Sequence, residues 1–144
     1  MILYLDTSSL IKLYIPENGS AEVRSLLEDA SLVATSVVAY PEARSALARL
    51  RREGSLETAE FDFARERLED DWSGYLVLEV TEAIWRRGGD LAEAYALRGF
   101  DSLHLASFLS LADAGLEKSV RFSSFDDRLN TAARLASERT TSLE

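Results

Sequence analysis

The chain of 144 residues contains no cysteine and one histidine, His104. Without cysteine there is no disulfide, no thiolate nucleophile and no cysteine zinc site. With one histidine, a multi-histidine zinc site is excluded, and a serine-type triad could form only around His104. Carboxylates or hydroxyls must therefore carry any catalysis.

Long apolar runs are also missing. No stretch approaches the roughly 20 apolar residues that a membrane-spanning helix needs. Met1 leads directly into the apolar residues 2–5, with no basic segment before them. We therefore expect a soluble, cytoplasmic protein with no membrane partner. The length fits one domain over residues 1–144, with the last few residues disordered or a cloning remnant.

Positive charge is scarce, because 16 lysines and arginines stand against 25 aspartates and glutamates, a formal net charge of −9. This balance argues against broad, charge-driven binding of nucleic acid. It does not exclude a nuclease, since carboxylates that hold divalent cations count as negative until the metal binds. The acidity also suits a basic protein partner.

Short apolar runs alternate with longer segments of helical periodicity. The runs predict buried strands, and the periodic segments predict helices. Pro41 is tolerated best in a first helical turn, so the regular part of the second helix is expected near Ala39. This alternation predicts an α/β fold, a three-layer α/β/α sandwich with a short central parallel sheet. The predicted strands are 2–5, 32–35, 76–80 and 120–122, and the predicted helices are 20–30, 36–52, 55–71, 81–97, 101–114 and 126–136.

Two aspartates follow predicted strands. Asp6 comes directly after the first strand, and Asp126 comes shortly after the last one. Ligands of open parallel sheets bind beyond the carboxyl ends of strands, which makes both residues candidate functional groups. Each could instead cap the helix that follows, and the two roles are compatible. Asp127 competes with Asp126 for the same position.

Two further carboxylates stand out by their surroundings. Asp101 opens the most apolar predicted helix, where helix capping is the simpler interpretation. Glu42 lies among small apolar residues, and a carboxylate there is unfavourable unless it is paired or holds a metal. The alternative for Glu42 is a partly buried salt bridge to Arg49 or Lys12.

Other residues have simpler interpretations. His104, one turn after Asp101, is predicted to be a hydrogen-bonded structural residue outside the catalytic set. The aromatic residues Trp72, Trp85, Phe61 and Phe63 are assigned to core or helix packing rather than to the stacking of nucleobases.

Four segments carry a resemblance to a known family. They are Leu-Asp-Thr-Ser-Ser-Leu at 5–10, Glu-Ala-Arg-Ser-Ala-Leu at 42–47, Leu-Arg-Gly-Phe-Asp-Ser-Leu-His-Leu-Ala at 97–106, and Ser-Phe-Asp-Asp-Arg-Leu at 124–129. In this order they resemble the PIN-domain ribonucleases, and specifically the VapC toxins of toxin–antitoxin pairs. The sequence departs from the family at Ser124, often threonine, and at Ser102, often alanine. It also lacks an apolar last strand, for which Arg139 to Thr141 is a poor substitute.

The resemblance implies a PIN-like fold that gathers the four acids at one end of the sheet. It implies an Mg²⁺- or Mn²⁺-dependent endoribonuclease that hydrolyses RNA with a metal-activated water. Thr7 and Ser124 would then support the carboxylates by hydrogen bonds. It further implies an RNA substrate, a basic antitoxin and a homodimer. The expected catalytic and metal-holding residues are Asp6, Glu42, Asp101 and Asp126, with Asp127 as a possible additional acid.

Two other classes of protein share part of this pattern. An aspartyl-phosphate phosphatase usually has a second aspartate two residues after the first, where this chain has Ser8. A catalytically inactive PIN-like scaffold that only binds a partner remains the alternative to the nuclease. Several basic side chains could guide RNA phosphates, although for most of them an ordinary solvated helix face is the simpler interpretation. These residues are Lys12, Arg44, Arg49, Arg51, Arg52, Arg86, Arg87 and Arg98.

Overall fold

The computed structural model describes residues 1–142, in which a four-stranded parallel sheet lies between two layers of helices. The strand order is β3-β2-β1-β4, so β1 is central and has a parallel neighbour on each side. This confirms the predicted α/β/α architecture. The strands are β1 (Ile2–Leu5), β2 (Leu32–Ser36), β3 (Leu76–Leu78) and β4 (Val120–Ser123). The expectation for the last two residues lies outside the described range.

The helices connect the strands and cover both faces of the sheet. A 3₁₀ turn, Ile11–Leu13, extends the first short helix. Among residues 1–142, no helix is both long enough and apolar enough to cross a membrane. The helices are α1 (Thr7–Leu10), α2 (Ser20–Glu28), α3 (Ala39–Arg52), α4 (Thr58–Trp72), α5 (Glu82–Tyr95), α6 (Gly99–Ala112) and α7 (Asp127–Thr141).

The central strand divides the core into two halves. Leu3 and Leu5 of β1 pack with the helices α1 to α4 on one face, and Ile2 and Tyr4 pack with α5 to α7 on the other. Successive side chains of a strand point to opposite faces, so a strand between two helical layers must be apolar at every position. The continuous apolar run at the start of the chain thus specifies the middle of the sandwich.

Several predicted boundaries were wrong for identifiable reasons. β3 ends at Leu78 rather than at residue 80, because its pairing partner β2 ends at Ser36, opposite Leu78. α2 begins at Ser20 as predicted but ends at Glu28 rather than at residue 30, and its N-cap residue is Gly19. The regular part of α3 begins at Ala39, as Pro41 predicted.

Helix termini account for the remaining differences. α4 begins at Thr58, because a capping box between Glu57 and Glu60 starts the helix there. α6 begins at Gly99, two residues before the predicted start. α7 continues beyond residue 136 to Thr141, so the segment that substitutes poorly for a last strand is helical.

Candidate active site

The sheet topology places two of the candidate acids at the same end of neighbouring strands. β1 and β4 are parallel, so the residues that follow them lie at one edge of the sheet. Asp6 follows β1 directly, and Asp126 follows β4 after two intervening residues. The backbone N–H of Asp6 donates to the carbonyl oxygen of Ser123 over 3.2 Å, which joins the two chain segments.

The carboxylate of Asp6 is buried and held by three donors. Its Oδ1 accepts from the Ser8 hydroxyl at 2.7 Å and from the Ser9 backbone N–H at 2.9 Å, the N-cap contact of α1. Its Oδ2 accepts from the Ser124 hydroxyl at 2.5 Å. Burial raises the pKa of Asp6 above its ordinary value, and these hydrogen bonds and His104 offset only part of that effect. A cation beside this carboxylate would favour its ionised form.

Glu42 lies in the first turn of α3, where its Oε1 accepts from the Thr7 hydroxyl at 2.6 Å. The same oxygen is 3.0 Å from Nε2 of His104. Burial by itself would raise the pKa of Glu42, but the hydrogen bonds from His104 and Thr7 hold it below its ordinary value, with help from the charge of Arg98. The structure therefore favours an ionised Glu42.

His104 connects this carboxylate to the core. Its side chain is buried, and its Nδ1 is 2.9 Å from the hydroxyl oxygen of Tyr4. Burial raises the pKa of Tyr4, so this hydroxyl keeps its proton. An ionised carboxylate can only accept a hydrogen bond, so Nε2 of His104 carries a proton and donates to Glu42. Tyr4 and His104 thus fix the orientation of Glu42 from inside the molecule.

Two interpretations drawn from the sequence change here. The predicted salt bridge from Glu42 to Arg49 or Lys12 was wrong, because Lys12 pairs with Glu17 at 2.8 Å and Arg49 lies 4.0 Å from Glu53. His104 is a hydrogen-bonded buried residue, as predicted, but its contact with Glu42 was missed. A polar ring on the apolar α6 needs a buried partner, and that was the available signal.

Arg98 links the other two acids. Its Nε donates to Oδ2 of Asp101 over 3.0 Å, and its Nη2 lies 3.7 Å from Oδ2 of Asp126. The capping interpretation of Asp101 was wrong, because Arg98 is the N-cap residue of α6 and Asp101 lies in the first turn. Asp126 caps α7 by accepting from the Leu129 N–H at 2.8 Å, which leaves its second oxygen for other partners.

The polar residues between the acids connect the cluster. Thr7 bonds Glu42, and Ser124 bonds Asp6, the two contacts expected of supporting hydroxyls. Ser124 Oγ also accepts from the backbone N–H of Asp126 at 3.0 Å. Asp127 is exposed on the first turn of α7, so the structure favours Asp126 over it as a member of the cluster.

The donor chemistry fits Mg²⁺ or Mn²⁺, which prefer carboxylate and water oxygens. Within residues 1–142, no three His, Asp or Glu side chains converge into a ready-made metal cage. Mg²⁺ does not need one, because it commonly keeps several waters and binds through one or two carboxylates. The buried Asp6 carboxylate, with its raised pKa, is the residue that would gain most from a cation.

Comparison with known proteins decides the family. The model of the PIN domain family matches residues 3–135, which include all four acids. The chain belongs to the PIN-domain family. The α/β/α sandwich is thus the fold of a PIN domain in this chain.

Relatives of this PIN domain include named ribonucleases. Ribonuclease VapC45 of Mycobacterium tuberculosis (strain CDC 1551 / Oshkosh) is 38% identical over 135 residues, 94% of this chain and 91% of that protein. Among solved structures, FitAcB from Neisseria gonorrhoeae aligns over 93% of this chain and 94% of that one, with a TM-score of 0.66 and 20% identity. A toxin–antitoxin complex from Klebsiella pneumoniae aligns over 76% and 79%, with a TM-score of 0.57 and 19% identity. At these identities the solved structures support the fold alone.

Proposed function

We propose that this PIN domain is an Mg²⁺- or Mn²⁺-dependent endoribonuclease and the toxin of a toxin–antitoxin pair. The observation that carries the proposal is the joining of Asp6, Glu42, Asp101 and Asp126 into one polar cluster at the end of the sheet. They come from four separate chain segments, linked by Thr7, His104, Arg98 and Ser124. The proposal is also supported by 38% identity to a protein named a ribonuclease.

The four carboxylates would hold the metal, with Asp6 and Asp126 as direct ligands and Asp101 and Glu42 as direct or water-mediated ones. The bound cation would supply Lewis acidity for a water nucleophile and charge neutralisation for the phosphodiester. The reaction would be hydrolysis without a covalent enzyme intermediate.

The side chains of the protein have separable tasks in this proposal. Ser124 and Ser8 hold the Asp6 carboxylate, and Thr7 and His104 hold that of Glu42, so the acids need little reorganisation when a substrate binds. Glu42, kept ionised by its partners, accepts a hydrogen bond from the attacking water and orients it. The side chain of Arg98 is 82% exposed beside Asp101 and Asp126, where it would contact a phosphate of the RNA.

The decisive experiment is cleavage of a mixed RNA pool by the purified protein, with Mn²⁺ and with EDTA. Cleavage is expected only with metal, and Asp6→Asn should abolish it while the exposed Asp29→Asn, at the end of α2, should not. Asp126→Asn should abolish cleavage and Asp127→Asn should retain it. Cleavage that survives in EDTA, or in Asp6→Asn, contradicts the proposal.

Metal binding has its own test. Four acids held near one another repel without a cation, so millimolar Mn²⁺ should raise the melting temperature of the wild-type protein and raise that of Asp6→Asn less. An unchanged wild-type melting temperature contradicts the shared metal site. Failure of both tests would favour the non-catalytic scaffold.

The proposed partner is a basic antitoxin. The net charge of −9 suits such a protein, and a cationic side chain placed among the acids could take the position that Arg98 occupies between Asp101 and Asp126. The co-encoded basic protein should protect RNA from cleavage, and its failure to do so contradicts this part. The homodimer and the cytoplasmic location stay predictions, to be measured by light scattering and by cell fractionation.

A further inference from the structure

A groove with aromatic walls begins at the acid cluster. It has a volume of about 680 Å³ and lies between α5 and the start of α6. Glu42 and Asp101 are among its lining residues, so the groove and the cluster are continuous. Trp85, Gly89 and Phe100 line the rest, together with other residues of the two helices.

The two aromatic side chains, Trp85 and Phe100, are exposed and do not belong to the hydrophobic core. Trp85 is 48% exposed and Phe100 is 58% exposed. α5 packs on the core through Ile84, Gly88 and Leu91, and Trp85 lies beside this buried stripe rather than in it. The assignment of Trp85 to packing was therefore wrong. Large exposed aromatic side chains beside a polar site indicate a binding surface.

The neighbouring side chains arrange this surface for a flat ligand. The guanidinium of Arg86 lies 4.7 Å from the centre of the Trp85 ring, over one of its faces. It is tied to Glu82 at 2.7 Å, which restrains it. Trp85 is 48% exposed and lines the groove, so aromatic surface is left for a ligand there. A Cβ added at Gly89 would meet no atom within 4 Å, so the groove is open at that position.

We infer that this groove binds an unstacked nucleobase of single-stranded RNA beside the phosphate to be cleaved, an inference that rests on the proposed function. Stacking on aromatic rings is a common way to hold single-stranded bases. Among the described residues of the lining, Arg98 supplies the positive charge, in a protein whose net charge is −9. Phosphate contacts are therefore few, and base stacking supplies the binding that they cannot.

The continuity of the groove with the acids favours a base over an apolar side chain of a protein partner. An occupant that is covalently attached to the reacting phosphate has to lie next to the carboxylates, and the groove begins at Glu42 and Asp101. A duplex cannot present a base in this way, so the groove selects unpaired RNA.

Tryptophan fluorescence tests the binding without requiring cleavage. The chain has two tryptophans, and Trp72→Phe leaves Trp85 as the reporter while keeping an aromatic ring against Tyr40. In EDTA, a single-stranded RNA oligonucleotide should quench Trp85, and the duplex of the same sequence should quench it much less. Equal quenching by both, or none by either, overturns the inference.

Steady-state kinetics supplies the second readout. Trp85→Leu and Phe100→Ala should each raise the KM for single-stranded RNA by roughly 5- to 100-fold, the range expected for loss of one stacking contact. Trp85→Phe should restore most of the loss. The matched control is Phe63→Ala on α4, a phenylalanine that is 63% exposed away from the groove. An unchanged KM in both groove variants overturns the inference.

Filling the groove separates binding from folding. Gly89→Leu adds a side chain where there is open space and a better helix former inside α5, so it should raise KM without lowering the melting temperature. If Phe100→Ala weakens binding of the basic partner but leaves quenching and KM unchanged, the groove is a protein-docking site and the inference is wrong. If quenching occurs and no RNA is cleaved, the groove stands and the proposed nuclease fails.

Discussion

The buried carboxylate of Asp6 lowers the stability of the folded protein when it is ionised, because burial raises its pKa. The folded protein holds this proton to a higher pH than the unfolded chain does. Stability therefore falls as the pH rises from about 4, the ordinary carboxyl value, through the raised pKa of Asp6. Above the raised pKa the full loss of folding stability is present, and below the ordinary carboxyl pKa this loss disappears.

Asp6→Asn should remove this loss of stability. An asparagine can keep the contacts with Ser8 and Ser9 and donate to the oxygen of Ser124. In EDTA at pH 7, the variant should melt above wild type, because it lacks the buried carboxylate whose pKa is raised. The gap should close near pH 4. Glu42, whose lowered pKa gives the opposite pH dependence, is present in both proteins and cancels. A variant that melts lower at pH 7 contradicts this account.

Arg98 should compete with a divalent cation for the same carboxylates, since it contacts Asp101 and Asp126. Arg98→Gln should therefore tighten Mn²⁺ binding by roughly two- to tenfold, as expected for loss of an exposed cation at this distance. Calorimetric titration measures the change. Arg134→Gln, which removes the same charge from a pair with Glu138 on α7, should leave the affinity unchanged. Equal effects of the two variants would mean that net charge alone is responsible.

At the scale of single residues, the positions of the acids in the fold were easier to predict from the sequence than their side-chain contacts. Asp6 and Asp126 are recognisable because each follows an apolar strand and precedes a helix, a local pattern. The pairing of His104 with Glu42 joins residues 62 positions apart, and Arg98 meets Asp126 from another segment. No local pattern carries such contacts, because they depend on how α3, α6 and α7 pack.

At the scale of elements, the adjacent glycines Gly88 and Gly89 of α5 have different surroundings. A Cβ at Gly88 would lie 3.3 Å from Leu103 and 3.4 Å from the Ser102 hydroxyl, so the close approach of α5 and α6 depends on this glycine. Gly89 faces open space. Two adjacent glycines inside a helix weaken it, yet α5 continues from Glu82 to Tyr95. Tertiary packing outweighs the low helix propensity of glycine here.

These glycines give a matched pair of variants. Gly88→Leu should destabilise the protein by about 1–3 kcal/mol, because it forces α5 and α6 apart. Gly89→Leu should stabilise it by about 0.5–1 kcal/mol, because leucine is the better helix former. Urea unfolding measures both. Similar values for the two variants would show that helix propensity, and not the close approach of the helices, decides the outcome.

The strands were predictable from hydrophobicity, whereas the ends of several elements were not. Residues 2–5 are apolar at every position because β1 is buried on both faces. The ends of β3 and α6 depend instead on where a partner strand stops and on which residue caps the helix. Those are properties of the assembled sheet and of the turn, and neither leaves a clear mark on hydrophobicity.

At the scale of the whole molecule, the net charge of −9 predicts a weak salt dependence of RNA binding. If one or two cations, Arg98 among them, contact phosphates, the slope of log affinity against log salt should be about −0.7 to −1.4. Affinity for a single-stranded oligonucleotide should then fall less than about tenfold between 50 and 200 mM salt. A much steeper loss would indicate a large basic RNA surface that the charge distribution does not support.

The position of β1 has a consequence for synthesis. This strand is made before β4, its neighbour on one side, and Asp126 follows β4. On the ribosome, a chain that has not yet exposed β4 lacks both a partner of β1 and the fourth acid. Any activity carried by the cluster therefore begins only after β4 and Asp126 have emerged. A prematurely terminated product that ends before residue 120 would lack that activity.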